Sequence, residues 1–509
     1  MKNFNILLFI VFLVFSSCEK DFLSKSNPNQ LTLDSFYKTQ GDAITAVNSV
    51  YAVMQHMDLF RQSYWSMYNG MSDDISFASS DGGSASAMFS FTYSPTFGTC
   101  NDMWGTLYTG IFRANQVIKN VGNMESFDLQ NRVIAEAKFL RAWYYRELVA
   151  GWGGVPKITE PLEGAQFDYN FPRATVQEIY NLIEEDLKYA EKYLPLKSEY
   201  PTSDIGRATS GAASAYLGKA YLFQKKWSDA ITEFEKVVNS GEYQLTTKFG
   251  DNFSAATENN SESVFEVQFT GEGTGVWNED DSSLSNESNL LAVSYFNWLS
   301  AAPMYQFKRN QLFGPASAGR SPRYNATFAT NKGGAPRIKK FVEFNTSDFR
   351  RSDVNLRDLR YSDVWLMYAE ALNENSRTPD AKVAIDKVID RVRQEQGLTD
   401  PTAATKILDL KTVQQLINYG ALENYTFSDD QTGIRNIVKY QRRIEFMFEM
   451  KRYRDLIRWN DAPAAFAQWI IDNGGNKVFK VGKNELFPIP DTEISGNSGI
   501  SVTDQNPGY

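Results

Sequence analysis

Catalytic groups are scarce in this 509-residue chain. It has a single histidine, His56, so a serine–histidine–aspartate relay would have to use it, and a site built on several histidines is impossible. His56 falls in an apolar-striped helical stretch near 42–57, where a lone histidine reads as a packing or surface residue. Two pairs of adjacent acids, Asp73-Asp74 and Asp280-Asp281, are the visible candidates for glycoside hydrolysis. That reaction needs two carboxyl groups facing each other across the scissile bond, which neighbours on one strand or loop rarely do. The 280 region shows no acidic loop of defined spacing, so a structural calcium has no motif behind it. Gly271-Glu-Gly-Thr-Gly275 lacks both the Gly-Lys-Ser/Thr ending and the strand–helix setting of a phosphate loop, and reads as a flexible loop. No enzyme and no cofactor are expected.

Binding is better supplied. Sugar rings offer apolar faces that pack on Trp and Tyr, while Asn, Asp, Gln and Arg bond their hydroxyls. Two loop regions hold that mixture. One runs from Phe77 to Phe97, with Ser79, Ser80, Asp81, Phe89, Phe91 and Tyr93; the other runs from Trp277 to Arg323, with Asn278, Asp280, Tyr295, Asn297, Trp298, Tyr305 and Arg320. The first candidate for a stacking platform is Trp277, followed by Tyr295 and Trp298, with Asp81, Phe89, Asn278 and Arg320 beside them. Each aromatic could instead fill the core of its own lobe. Tyr295 and Trp298 are three apart, so one helical turn could bury both.

The elements that must hold these loops are mainly helical. Apolar residues recur at helical spacing from Asp42 (Ala43, Val47, Val50, Tyr51, Met54), from Met103 (Leu107, Ile111, Ala114, Ile118) and from Val133 (Ala137, Leu140, Tyr144, Leu148). Thr175 and Glu178 form a capping box ahead of Ile179, Ile183, Leu187, Ala190 and Leu194, and Pro195 stops that helix. Leu217-Gly218, Tyr221, Ala230, Phe234 and Val237 fall at the spacing of a tetratricopeptide repeat, with Trp227 in its turn. Small Gly218 and Ala230 let two antiparallel helices approach, and Tyr221 and Phe234 fill the gap. One such pair cannot bury its own faces, so neighbours must stack on it. Past Gly241, Ser263–Phe269 alternates like a short strand, and about 270–345 is rich in Gly, Ser, Asn and aromatics. Helices are expected again at about 359–375, 379–396 and 434–459, and Glu485–Pro490 is extended by its prolines. The last long helix interleaves Arg442, Arg443, Glu445, Glu449, Arg452, Arg454, Asp455 and Arg458 with apolar residues, which reads as Arg–carboxylate pairing between helices rather than an active site.

Composition and the N-terminus narrow the setting. A net charge of −9 argues against a nucleic-acid binder and against a polybasic grip on anionic lipid. Lys2 precedes the apolar run Ile6–Phe15, which is too short to span a bilayer and suits a secretory signal. Ser16-Ser17-Cys18 then resembles a bacterial lipobox, which implies a lipid on Cys18 as the first mature residue. Phe15 stands where Leu is commoner. Cys100, the only other cysteine, is then left without a disulfide partner. The acidic patch Glu19-Lys20-Asp21 is similar to signals that send lipoproteins to the outer leaflet.

Four stretches, in order, resemble the SusD/RagB family. They are Ala135–Tyr145 with Gly153-Gly-Val-Pro156; Leu359–Leu372; Arg442–Glu449 leading to Arg454–Trp459; and Leu486–Pro490 with Gln505–Tyr509. The chain departs from the family at Gln441, where Glu is usual, at Met450-Lys451, where Gly-His is common, and at Tyr453, where Trp is frequent. The resemblance implies a signal peptide over 1–17, a lipidated tether over 18–38 and one domain over 39–509. Within that domain a tetratricopeptide-type scaffold (about 39–260 and 355–460) would carry a loop-rich lobe (about 261–354) and a C-terminal segment (461–509). It further implies a cell-surface, lipid-anchored protein of the outer membrane that traps a glycan as a hinged lid over a SusC-like TonB-dependent transporter. The family builds its ligand sites from loops in the two regions named above, with Asp73-Asp74 just ahead of one of them. A peptide ligand, a purely structural scaffold and a glycoside hydrolase are the competing expectations.

Overall fold

A computed structural model describes residues 36–61, 63–75, 84–162, 169–270, 312–314, 316–330, 336–343, 352–422, 425–475 and 477–509. Among them helices dominate. In the first part of the chain these are α1 (Gln40–Met54), α2 (Ser63–Gly70), α3 (Ser84–Ser90), α4 (Gly98–Gly122), α5 (Gln130–Trp152), α6 (Val176–Tyr193), α7 (Ser210–Phe223) and α8 (Trp227–Val238). Strand β1 (Ser263–Val267) follows, then α9 (Pro322–Thr327) and the hairpin β2 (Phe328–Thr330) and β3 (Pro336–Ile338). After β4 (Leu356–Arg360) come α10 (Tyr361–Glu374), α11 (Thr378–Glu395) and α12 (Val413–Tyr419), then strands β5 (Ala421–Leu422) and β6 (Tyr425–Thr426). The chain closes with α13 (Gln431–Glu445), α14 (Arg452–Arg458), α15 (Ala462–Asn473) and α16 (Asp491–Gly496).

The scaffold is a serial stack. Helix α1 packs on α4, α4 on α5, α5 on α6, α6 on α7, α7 on α8, α8 on α10, and α10 on both α11 and α13. This is the arrangement that a lone tetratricopeptide pair requires, since each amphipathic helix buries its stripe only against the next. The α7–α8 pair meets as its spacing predicts: a Cβ on Gly218 would lie 2.7 Å from the Phe234 ring, and Ala230, Phe234 and Val237 are buried. The capping box of α6 is present, with the Glu178 amide donating to Thr175 Oγ1 at 3.2 Å and the Thr175 amide to Glu178 Oε2 at 2.8 Å. Cys100 is a free, buried thiol. No helix among the described residues is long and apolar enough to cross a membrane.

The close approach at Gly218 gives a direct test. Gly218→Ala is expected to destabilise the protein by about 1–3 kcal/mol, because the methyl must displace a packed ring. Gly105, mid-helix in α4 with nothing within 4 Å of a built Cβ, should instead gain up to about 1 kcal/mol on replacement by alanine. Urea midpoints of the two variants measured side by side check both signs.

Two expectations need correction. The alternating Ser263–Phe269 run is a strand only to Val267, and all five of its residues are buried. Its buried Glu266 lies opposite Arg357 of β4, 2.9 Å away, and accepts from the Asn259 amide and from Asn355 Nδ2, each at 3.1 Å. The expected helix over 434–459 is two helices. The chain turns between Glu445 and Arg452, with Phe448 and Met450 in the left-handed region at φ 65° and 62°. Asn69 of α2 satisfies backbone groups that the break leaves without helical partners: its Nδ2 donates to the Phe448 carbonyl at 3.3 Å and its Oδ1 accepts from the Met450 amide at 3.0 Å. The other shifts are small. Leu359 and Arg360 end a strand rather than begin a helix, and His56 follows the end of α1.

Candidate functional site

The charged residues of α13 and α14 are partners of neighbouring elements. Arg442 bonds Asp363 at 2.7 Å and Asp455 at 2.8 Å, Arg458 bonds Glu370, and Arg454 grips Glu147 of α5. Beneath the loop-rich lobe lies a larger cluster. Glu445 accepts from Arg360 of β4 (3.2 Å) and Arg391 of α11 (2.5 Å) and forms an ion pair with Arg323 of α9 at 2.8 Å. Glu262 pairs with the same Arg360 and Arg391, and Glu449 with Arg360 and Lys340. These seven groups are essentially buried. They bolt the described part of the lobe, Arg323 and Lys340, to the scaffold.

The other loop region starts from a second clamp. Asp74 accepts from Arg443 at 2.8 Å, and Asp73 from Arg443 at 3.0 Å and Arg452 at 2.7 Å. Lys477 donates to the carbonyls of Gly70 (2.8 Å) and Ser72 (2.6 Å), and its ammonium sits 4.0 Å from the Phe89 ring centroid. Asp73 and Asp74 are thus buried and matched to guanidinium groups, not open to a substrate as a hydrolytic pair. Both clamps meet at the 446–451 turn. Asn69 bonds it from the Asp73–Asp74 side, while from the lobe side the Phe328 ring lies 5.9 Å from the Phe448 ring and Lys340 bonds Glu449. Residues flanking the two candidate loop regions therefore contact one and the same turn.

Most of the sequence-derived candidates, Cys18, Asp81, Trp277, Asn278, Tyr295 and Trp298, lie outside the described residues, as do Asp280, Asp281 and Gly271–Gly275. Phe89 is buried on α3, edge-on to Trp469 at 5.3 Å. It belongs to the packing under its loop region. Arg320 is half-buried in the lobe, where it donates to the Gly314 carbonyl at 2.7 Å and lies 4.2 Å from the Tyr324 ring centroid. Tyr324, also half-buried, rests on Phe313 and Phe328 at 5.7 and 5.1 Å. The Arg320–Tyr324 ledge sets a planar cation and an aromatic ring side by side, suited to a flat hydroxylated ligand. Tyr324 was missed from sequence: Arg320 precedes the Ser321 cap of α9 and Tyr324 stands in its first turn, so no helical spacing links the two. His56 pairs with Asp58 at 3.2 Å, and no cluster of three or more metal-ligating side chains exists among the described residues.

Two opposed sets of buried carboxyls set an expected pH profile. Burial alone would raise Glu262, but the Arg391 and Arg360 guanidiniums outweigh it and hold the group at about 2, below its usual 4.5. Arg391, Arg323 and Arg360 likewise hold Glu445 well below the carboxylate range against the effect of burial. A lowered folded-state pKa gives stability that is complete above the unfolded value and is lost as pH falls through the folded one. Asp409 and Asp386 behave oppositely. Burial pushes both up to about 6, so their contribution is complete below the unfolded value and is lost as pH rises through about 6. For these groups melting temperature should therefore peak between about pH 3.8 and 4.5, fall below it as Glu262 and Glu445 take up protons, and fall above it until about pH 6; a series of melts from about pH 2 to 7 checks it. A steady rise towards neutral pH would contradict the assignment.

The same architecture occurs in known proteins. The model of the SusD family matches residues 232–509, more than half of the chain, and a second model, described as starch-binding associating with outer membrane, matches residues 21–222. The chain belongs to the SusD family. Among SusD-family relatives, SusD-like protein P2 of Formosa agariphila is 26% identical over the whole of both chains. A SusD-like protein of Bacteroides ovatus is 24% identical over 90% of this chain and 83% of that one. A solved laminarin-binding SusD-like protein is 27% identical and superposes with a TM-score of 0.73 over 93% of this chain and all of its own. A SusD homolog of Bacteroides thetaiotaomicron, 22% identical, gives a TM-score of 0.75 over 95% of this chain and all of its own. The family's frequent Gly-His now has a physical reading. Met450, whose side chain is buried, holds the left-handed backbone that glycine adopts without cost.

Proposed function

We propose that this SusD-family protein captures an oligo- or polysaccharide in its loop-rich lobe, without transforming it, and delivers it to a TonB-dependent transporter of the outer membrane. The observation that carries this reading is the family match together with a laminarin-binding relative that superposes over nearly the whole chain. The two ion clamps support it, because a binding surface built on loops gains affinity when its base is fixed in advance. Trp277, Tyr295 and Trp298 supply the stacking faces, and Asp81, Asn278 and Arg320 the polar contacts. A lipid on Cys18 holds the protein at the membrane surface, and the lobe closes over the transporter mouth as a lid.

Purification of the native protein from outer membranes tests the transport half. A large barrel protein is expected to come with it, and a Cys18→Ser variant should leave the membrane fraction. Recovery of the native protein alone, or a Cys18→Ser variant that stays fully membrane-bound, would defeat the proposal.

A further inference from the structure

The turn of the tetratricopeptide pair carries a feature that the lobe reading does not use. Trp227, the first residue of α8, packs in part against the core, yet it is only half-buried and lines a cleft of about 280 Å³. That volume lies near the lower end of the roughly 300–1,000 Å³ of small-molecule sites, enough for a single ring. The opposite wall comes from α10, α13 and the end of α14, and it is rigid. The Trp459 indole donates to Glu370 at 2.8 Å, and the Arg458 guanidinium, also bonded to Glu370, lies 4.6 Å from the Trp459 ring centroid. Arg435 bonds Glu374 through two nitrogens, at 2.5 and 2.7 Å, and Lys439 bonds Asp461 at 2.7 Å.

Those wall cations are matched by carboxylates. The turn is not. Lys225, exposed and in the left-handed region at φ 59°, lines the cleft with no carboxylate partner among the described residues, and the Trp227 N–H has no acceptor among them. The lining thus offers an indole, an indole N–H without an acceptor and one uncompensated positive charge. The rim is charged rather than apolar, which disfavours the buried aromatic anchor of a protein partner.

We propose that this cleft binds a uronic acid unit of an acidic glycan, with its ring face on Trp227 and its carboxylate at Lys225, at a site separate from the lobe. The reading goes beyond lobe capture and shares no residue with it. It is tested by calorimetric titration of the full chain, at low salt, with a glucuronosyl-glucose disaccharide and its neutral glucosyl-glucose counterpart. The acidic sugar should bind about tenfold tighter or better. Lys225→Gly keeps the left-handed backbone and should erase that preference, and Trp227→Ala should abolish binding of the acidic sugar. Trp277→Ala, in the lobe, should leave it unchanged. Equal binding of the two sugars, a preference that survives Lys225→Gly, or undiminished binding in Trp227→Ala would overturn the proposal. A preference lost in Trp277→Ala would overturn it as well, by assigning the acidic sugar to the lobe.

Discussion

Glu445→Ala is expected to lower the unfolding free energy by about 3–5 kcal/mol, the cost of removing one partner from a buried ion pair. Glu445 is fully buried and forms ion pairs with Arg323, Arg360 and Arg391. Alanine would leave three guanidiniums crowded in an apolar interior, with Glu262 and Glu449 as their remaining carboxylates. Charge repulsion and lost hydrogen bonds act in the same direction. An exposed pair provides the comparison: Arg377, 42% exposed and bonded to Asp380 and Glu235, should cost no more than about 1 kcal/mol on replacement by alanine. Equilibrium urea unfolding of the two variants reads the difference. A Glu445→Ala protein as stable as the parent would mean that the cluster does not bolt the lobe to the scaffold.

The second large effect concerns binding. Trp277→Ala is expected to weaken the glycan complex by about tenfold or more, since a stacking tryptophan is the usual anchor of such a site. Trp277→Phe keeps an apolar face and should lose much less. Melting temperature is measured on the same samples, because a lost anchor should leave stability intact whereas a core residue would not. A Trp277→Ala protein with unchanged affinity and a lowered melting point would assign Trp277 to the interior of the lobe, and the platform would then have to be sought at Tyr295, Trp298 or the Arg320–Tyr324 ledge.

The scaffold was legible in the sequence because its grammar is local. The Thr175–Glu178 box, the Gly218–Phe234 contact and the stripes of α1, α4 and α5 depend on spacings of three and four along one helix, and each appears in the structure. The pairing role of Arg442, Arg443, Glu445 and Glu449 was also readable, since so many charges on an apolar helix must find partners. The partners themselves were not. Glu262, Lys340, Arg360 and Arg391 are far from Glu445 in sequence, and nothing local says that three carboxylates and four cations converge. The break after Glu445 was hidden for a similar reason. Phe446–Lys451 continues an amphipathic pattern, and the group that makes a turn affordable there is Asn69, hundreds of residues away. Phe89 shows the limit of composition: an aromatic in a loop-like stretch looks the same whether it faces a ligand or, as here, Trp469 and Lys477.

The Asp73–Asp74 pair shows how geometry narrows function. Adjacent acids could in principle serve hydrolysis, calcium or structure. Burial beside Arg443, Arg452 and Lys477 makes them counter-ions that fix the base of a loop. With His56 paired to Asp58 as well, these described residues supply anchoring.

The central claim, capture without conversion, is tested most directly by equilibrium titration of the purified protein with a panel of oligosaccharides, with the sugar recovered afterwards and its chain length determined. Saturable binding of at least one glycan, returned at its original length, is the expected result. Shortened products, or no binding to any member of a panel that includes laminarin oligosaccharides, would contradict it.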